Sequence, residues 1–320
     1  MRATFATATL SSMKKTAGNF NPKDDPVYFL ASSPDILQDV AHVHKEILIA
    51  INEIKSNSAL KAFGSMLKKD LKIFVDSGVY NLAMEHATRH NIPHDQALRV
   101  PIDEIDGFQE LFDLYCKLSL KYQDDVWGTV EIDLGGREQK IKTRAKLEKK
   151  GIRPIPVYHP LNDGWDYFDE LAKNYDRICV GNIVQASRYV RKHLLATIWE
   201  RKMRTNPNLW IHILGLAPNE WLCAYPMNSC DASSWLNTVR WNGYKTRTLL
   251  KTFSNLPKHF QYELGNRETW EKGILMGAVG GTYAMRNYNR FLKSLRRAKL
   301  NEDNGILHTH FRSLAPLARR

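Results

Sequence analysis

The feature that most constrains this chain is an alternation between two periods. From about residue 27 onward, short apolar runs are followed by longer stretches whose apolar residues recur at helical spacing. "VYFLASS" reads as a strand, and "SPDILQDVAHVHKEILIAINEI" as a helix opened by Ser33-Pro34. "LKIFVDSG" is the next strand, with helical material after it reaching "DEIDGFQELFDLYCKLSLKY". Then come "WGTVEIDLGG", a basic helix "REQKIKTRAKLEKKG", the strand "RPIPVYHP", a helix "DGWDYFDELAKNY" and the strand "RICVGN". A long helix "ASRYVRKHLLATIWERKMR" leads to "LWIHILGLAP", a short helix and a last strand in "AYPMNSCDASSW". Strands separated by helices pair in parallel, because each helix carries the chain back to the same edge. Seven or eight such units in roughly 220 to 250 residues suit a (β/α)8 barrel better than an open doubly wound sheet. No GxGxxG follows the first strand, so a dinucleotide fingerprint is missing. The expected fold is therefore α/β, a (β/α)8 TIM-like barrel with extra C-terminal helices.

Three segments follow from this reading. Residues 1–24 lack acidic groups up to Asp24 and have no continuous apolar core, which makes a poor secretory signal and predicts a flexible N-terminal arm. Residues 25–265 are assigned to the barrel. Residues 266–320 read as a helical extension broken near Gly280-Gly281 and a basic tail ending in "LHTHFRSLAPLARR". At 320 residues and 43% hydrophobic, the chain can bury a full core. No apolar run approaches the ~20 residues of a membrane span. Cys116, Cys179, Cys223 and Cys230 lack CxxC spacing and sit in apolar sequence, as reduced packed thiols of a cytoplasmic protein do.

The polar residues fall in one place. Each strand ends in a residue that a buried strand avoids or a turn needs: Asp76 after "IFV", Asp133 after "VEI", His159 after "PVY", Gly181 after "ICV", Gly215 after "IHIL" and Asp231 after "MNSC". In a barrel these carboxyl ends converge on one mouth. Singly, each has an ordinary explanation. Asp76 could cap the next helix, Asp133 could make an Asx turn, His159 could be a structural histidine, and the glycines could relieve backbone crowding. Recurrence at the same end of successive strands favours a shared site. Tyr225, Trp235, Trp241 and Tyr244 offer flat faces for a base or for core packing. The formal net charge of +12 and pI near 9.4 favour an anionic partner such as nucleic acid, and the basic runs "REQKIKTRAKLEKK", "RYVRKH" and "RRAK" could hold phosphates or be solvated helix faces.

On these motifs the chain resembles the tRNA-guanine transglycosylase superfamily, and within it the shorter phage-type 7-deazaguanine DNA transglycosylases. The resemblance runs from about Val27 to Gly243. "FVDSGVY" is similar to the family's DSGGF-type motif, "GIRPIPVYHP" and "ICVGNIV" to its middle strands, and "IHILGLAPNEWLCAYPMNSCDASSW" to the segment carrying its nucleophilic Asp. The resemblance implies Asp231 as nucleophile, Asp76 as general acid and base, and Asp133 as reader of a purine edge. His159, Gly181 and Gly215 would line the base pocket, with Ser77 and Trp235 among the substrate-binding residues. It implies no redox cofactor. The tRNA enzymes carry a CxCxxC and a later His that hold structural zinc beyond the nucleophile, whereas here no Cys follows Cys230. His308 and His310 alone fall short of four N/S ligands, so no metal is expected.

The missing module favours DNA over tRNA as the polymer, with a 7-deazaguanine base such as preQ0 or a derivative as the incoming partner. A cytoplasmic location is expected, in the host if the gene is a phage's, with no membrane partner. A tRNA enzyme, a glycosylase that uses water, and a non-catalytic nucleic-acid-binding barrel are the alternatives. Retention of both Asp76 and Asp231 argues against the last.

Overall fold

The computed structural model describes residues 14–236 apart from 24–26, 42–43, 94–95, 219–221, 223–224 and 226. Eight strands carry the fold: β1 (Val27–Ala31), β2 (Glu46–Ala50), β3 (Lys72–Asp76), β4 (Gly128–Thr129), β5 (Val157–Tyr158), β6 (Arg177–Val180), β7 (Trp210–Ile213) and β8 (Ser229–Ala232). Between them lie α1 (Pro34–Val40), α2 (Asn57–Met66), α3 (Val79–Arg89), α4 (Phe108–Tyr122), α5 (Gly136–Lys149), α6 (Trp165–Asn174) and α7 (Arg188–Thr205). All strand pairs are parallel, in the order β4-β3-β2-β1-β8-β7-β6-β5. A further parallel bridge joins Val130 to Ile155, where Ile155 N–H donates to Thr129 O at 2.8 Å and Glu131 N–H to Ile155 O at 3.0 Å. That bridge brings β4 against β5 and closes the ring, giving the (β/α)8 fold.

One strand was hidden in the sequence. The stretch read as a single helix from Ser33 divides into α1 and β2, with a short 3-10 turn at Ile51–Ile54. Ile47, Leu48 and Ile49 are all buried in succession, as in a barrel strand covered on both faces. A continuous apolar triplet inside a longer helical pattern carries no period of its own.

Alternation along the strands sorts the core into two layers. Val27, Phe29, Leu48, Phe74, Trp127, Val157, Cys179 and Trp210 pack inside the barrel, with Phe29 5.2 Å from Phe74 and 5.0 Å from Trp127 between ring centroids. Their neighbours Tyr28, Leu30, Ile47, Ile49, Ile73 and Val75 face outward beneath the helices. Truncating an inner ring such as Phe74 to Ala would cost about 3–5 kcal/mol.

The base of the barrel is sealed by residues 14–20, part of the segment read as a flexible arm. Lys14 bridges Tyr175, Ala17 N–H donates to Arg153 O at 2.9 Å, and Asn19 N–H to Val126 O at 2.9 Å. Phe20 stands edge-on to Trp127 and Trp210 at 5.4 and 4.9 Å. Arg177, 1% exposed, donates to Trp127 O, Ala17 O and Thr16 Oγ1 and lies over the Phe20 ring, so burial pushes its guanidinium down to about 10. Gly18 is needed for this approach, since at φ +123° a Cβ would lie 2.5 Å from Trp127 O. An apolar seal with one anchoring cation needs tertiary partners that a local reading of "TAGNF" does not contain.

No helix among the described residues is long and apolar enough to cross a membrane; Cys116 and Cys179 are free thiols, and Cys116, Cys179 and Cys230 are all buried. The C-terminal helices expected beyond residue 236, Trp241, Tyr244 and most of the short helix after Gly215 lie outside the described residues.

Candidate active site

The opposite end of the barrel is open. A cavity of about 430 Å³ sits over the carboxyl ends of the strands, and Asp76, Ser77, Asp133, His159, Gly181, Gly215 and Asp231 all line it. The strand ends converge because parallel strands share a direction, so seven residues between 76 and 231 meet at one mouth.

Asp231 is positioned by β7 and β8. The register sets His212 opposite Ser229 and Phe29 opposite Asp231. Asp231 Oδ1 accepts from His212 Nε2 at 3.0 Å and from Gly215 N–H at 3.0 Å. Gly215 reaches it from a φ of +73°, which a side chain would resist. Trp210 Nε1–H can only donate, and it gives its proton to Ser229 Oγ at 2.8 Å. Ser229 Oγ in turn lies 2.9 Å from His212 Nδ1, so Trp210, Ser229 and His212 form a hydrogen-bond chain that ends with Nε2 against Asp231. Both bonds fall on Oδ1, so Oδ2 is the oxygen left for the cavity. A carboxylate at the end of a buried strand is tolerated here because its donors are built into the neighbouring strand.

Asp76 has a different environment. Its Oδ2 accepts from Gly78 N–H at 2.9 Å, where Gly78 at φ +77° starts α3. A Cβ on Gly78 would meet Asn52 Oδ1 at 2.5 Å. The Asp76 bond is a turn bond to the residue before α3 and not a helix cap, since no side chain caps α3 at Gly78; Asp76 also lines the cavity. Burial, then the nearby Asp133 and more weakly Asp231, push the Asp76 carboxyl up to about 7, against the Gly78 and Ser77 N–H groups. Near neutral pH it can hold or release a proton, the property a general acid and base requires.

Asp133 and His159 form a pair, with His159 Nε2 2.8 Å from Asp133 Oδ2. His159 N–H donates to Asp163 Oδ2 at 2.8 Å, and Asp163 is held by Lys140 Nζ at 2.5 Å. Gly181 makes room for this ring: a Cβ there would lie 2.8 Å from His159 Nε2 and Cδ2. Two further lining groups point to a ligand. Ser77 Oγ and Asn182 Nδ2 are buried without a hydrogen-bond partner, and Asn182 holds φ +46°, strained for a residue with a side chain.

Two expectations are corrected. Trp235 does not line the cavity; it packs in the outer core, 6% exposed, and its indole N–H donates to Ala31 O at 3.1 Å. The run "REQKIKTRAKLEKK" directs two of its cations, Lys140 and Arg144, inward, where internal acids and carbonyls claim them, and pairs a third, Arg137, with acids at the surface. Lys140 bonds Asp163 and Val157 O, Arg144 bonds Glu131 at 2.9 Å and Tyr167 Oη at 3.1 Å, and Arg137 bonds Asp166 at 2.6 Å and Glu170 at 3.2 Å. In α7, Arg191 donates to Ile183 O, Val184 O and Ala186 O.

His212 and Asn182 escaped the sequence reading. The only signal for His212 was a histidine in the middle of the buried run "WIHIL"; for Asn182, a polar residue directly after the Gly181 strand end.

No protein-family model matches the chain, and no curated protein matches it. Among solved structures, the chain is similar to the tryptophan synthase alpha chain from Legionella pneumophila subsp. pneumophila, with a TM-score of 0.45 and 11% sequence identity over 82% of this chain and 92% of that one.

Proposed function

We propose that this protein is a guanine transglycosylase that exchanges guanine in DNA for a 7-deazaguanine base through a covalent Asp231-linked glycosyl intermediate. The observation that carries the reading is the split between Asp76 and Asp231. Two carboxyl groups face one cavity, one held by His212 and Gly215 with an oxygen toward the opening, the other raised to about 7. Base exchange with retention needs such a pair, one carboxylate to attack and one group to carry the proton.

In the first half-reaction Asp231 Oδ2 attacks C1′ of the target nucleotide, the C1′–N9 bond breaks, and the departing guanine takes the Asp76 proton on a ring nitrogen. In the second, Asp76, now ionised, takes the N9 proton of the incoming deazaguanine. That nitrogen attacks C1′ and releases the Asp231 carboxylate. Protons and charge return to their starting state, and the chain's own groups suffice for both steps. The Asp133–His159 pair, Ser77 Oγ and Asn182 Nδ2 offer acceptors and donors for a purine edge. The target base must first leave its stack, which costs a few kcal/mol.

The deciding experiment incubates the protein with radiolabelled guanine-containing DNA, single- and double-stranded, and separately with tRNA, in the presence of several 7-deazaguanines. Release of labelled guanine from DNA that depends on the added base is the expected result. Release from tRNA alone would replace DNA by tRNA, release with abasic sites would replace exchange by hydrolysis, and polymer binding without release would leave a binding barrel.

A further inference from the structure

We propose that His86, His90 and Asp106 form a binding site for a divalent transition-metal ion, zinc being the ion whose ligand chemistry fits. None of the three lines the cavity, and the site is independent of the reaction assigned above. It is also unlike the cysteine-based zinc motif that the chain lacks.

The cluster comes from the end of one helix and the end of the connection that leads to the next. "HATRH" puts His86 and His90 four residues apart, on one face of α3 near its end. Asp106 precedes α4 and faces both rings. Asp106 Oδ2 lies 3.5 Å from His86 Nδ1 and 3.1 Å from His90 Nε2, and the three ligand atoms all fall within 4.8 Å of one another. Around tetrahedral zinc, with bonds near 2.0–2.1 Å, neighbouring ligand atoms stand about 3.4 Å apart. Two edges of that tetrahedron are already at length.

Asp106 N–H donates to His86 Nδ1 at 3.4 Å, a long contact that an ion bound at Nδ1 would displace. His86 is 5% exposed, with the His90 ring 4.3 Å away. Two imidazoles and a carboxylate with a fourth position open to water is a borderline-soft donor set, suited to zinc and poorly suited to magnesium or calcium, which take oxygen.

One cation already competes there. Arg89 Nη1 is 2.5 Å from the same Asp106 oxygen, but its side chain is 62% exposed and can swing into water. A bound ion would replace the guanidinium as countercharge. It would also pin the end of α3 to the residue leading into α4, stiffening the crossover that begins at Asp76.

The test uses the full chain in a His308→Ala/His310→Ala background, which removes the competing "HTH" of the tail. After treatment with chelator, zinc is titrated calorimetrically and the thermal midpoint is followed with and without zinc. One ion per chain is expected. Affinity should fall tenfold or more in His90→Ala and in Asp106→Asn, both exposed positions, and rise in Arg89→Ala. Zinc should raise the midpoint of the parent protein and leave that of His90→Ala unmoved. Failure to bind zinc, or parental affinity in either His90→Ala or Asp106→Asn, overturns the proposal.

Discussion

Two groups of acids lie in the same barrel and are treated in opposite ways. On the seam between β4 and β5, Glu131 and Asp163 are fully covered, and each has a cation of α5 against it, Arg144 for Glu131 and Lys140 for Asp163. At the mouth, Asp76, Asp133 and Asp231 have no Lys or Arg partner among the described residues; their donors are backbone N–H groups and histidines. A buried carboxylate matched by a cation is held for the sake of the fold. One without a Lys or Arg partner keeps its charge or its proton available to whatever enters the cavity. The two groups should therefore fail differently when they are broken.

The largest contrast is expected from Asp231→Asn. It should lower base exchange by roughly 10⁴-fold or more while leaving the urea midpoint close to wild type. Exchange at a wild-type rate would remove Asp231 from the chemistry. Lys140→Ala should do the reverse. It leaves Asp163 buried without its cation and should cost about 3–5 kcal/mol in denaturant unfolding. A stability loss below about 1 kcal/mol would show that the seam needs no pairing.

The next contrast lies inside the mouth. His212→Phe keeps the ring volume against Phe74 and Phe29 but removes the donor to Asp231, so kcat should fall roughly tenfold to a hundredfold. An unchanged kcat would leave orientation of Asp231 to Gly215 alone. Asp76 provides the pH arm. Its folded-state value of about 7 lies above its ordinary 3.8, so the protonated fold is favoured and this contribution is complete below about 3.8. It is lost as pH rises through about 7. Wild type should thus lose stability relative to Asp76→Asn between pH 4 and 7, by at most about 1.4 kcal/mol per pH unit. Exchange should fall above pH 7 as the proton for the leaving guanine is lost. Parallel stability curves for the two proteins would contradict the raised value.

The smallest effect is expected at Trp235→Phe. Loss of the bond to Ala31 O should cost about 1 kcal/mol of stability, and exchange should not change. A large fall in exchange at unchanged stability would return Trp235 to the base pocket.

Much of the mouth was legible because barrel chemistry occupies strand ends, and strand ends are marked locally. Asp76, Asp133, His159, Gly181, Gly215 and Asp231 each break an apolar run, and parallel topology alone brings them together. What the residues do for one another was not legible. Gly181 reads as a turn glycine, yet the space it leaves is filled by the ring of His159, which arrives from the adjacent strand. Strand β2 was missed because burial on both faces erases the two-residue period that marks a strand.

By itself, the sequence determined the number of β/α units to within one, their parallel sense and the acids at their ends, since these depend on short-range periods and punctuation. Only the tertiary structure decided which charges are neutralised. Lys140 and Arg144 read as part of a solvated basic face until Asp163 and Glu131 are brought beside them by the closing of the barrel. In the same way Trp210, Ser229 and His212 become a hydrogen-bond chain to Asp231 only through the register of β7 on β8. Hydrogen bonds and ion pairs act over about 3 Å, and which side chains come that close across 13 to 29 residues of chain is fixed by packing, not by any local pattern.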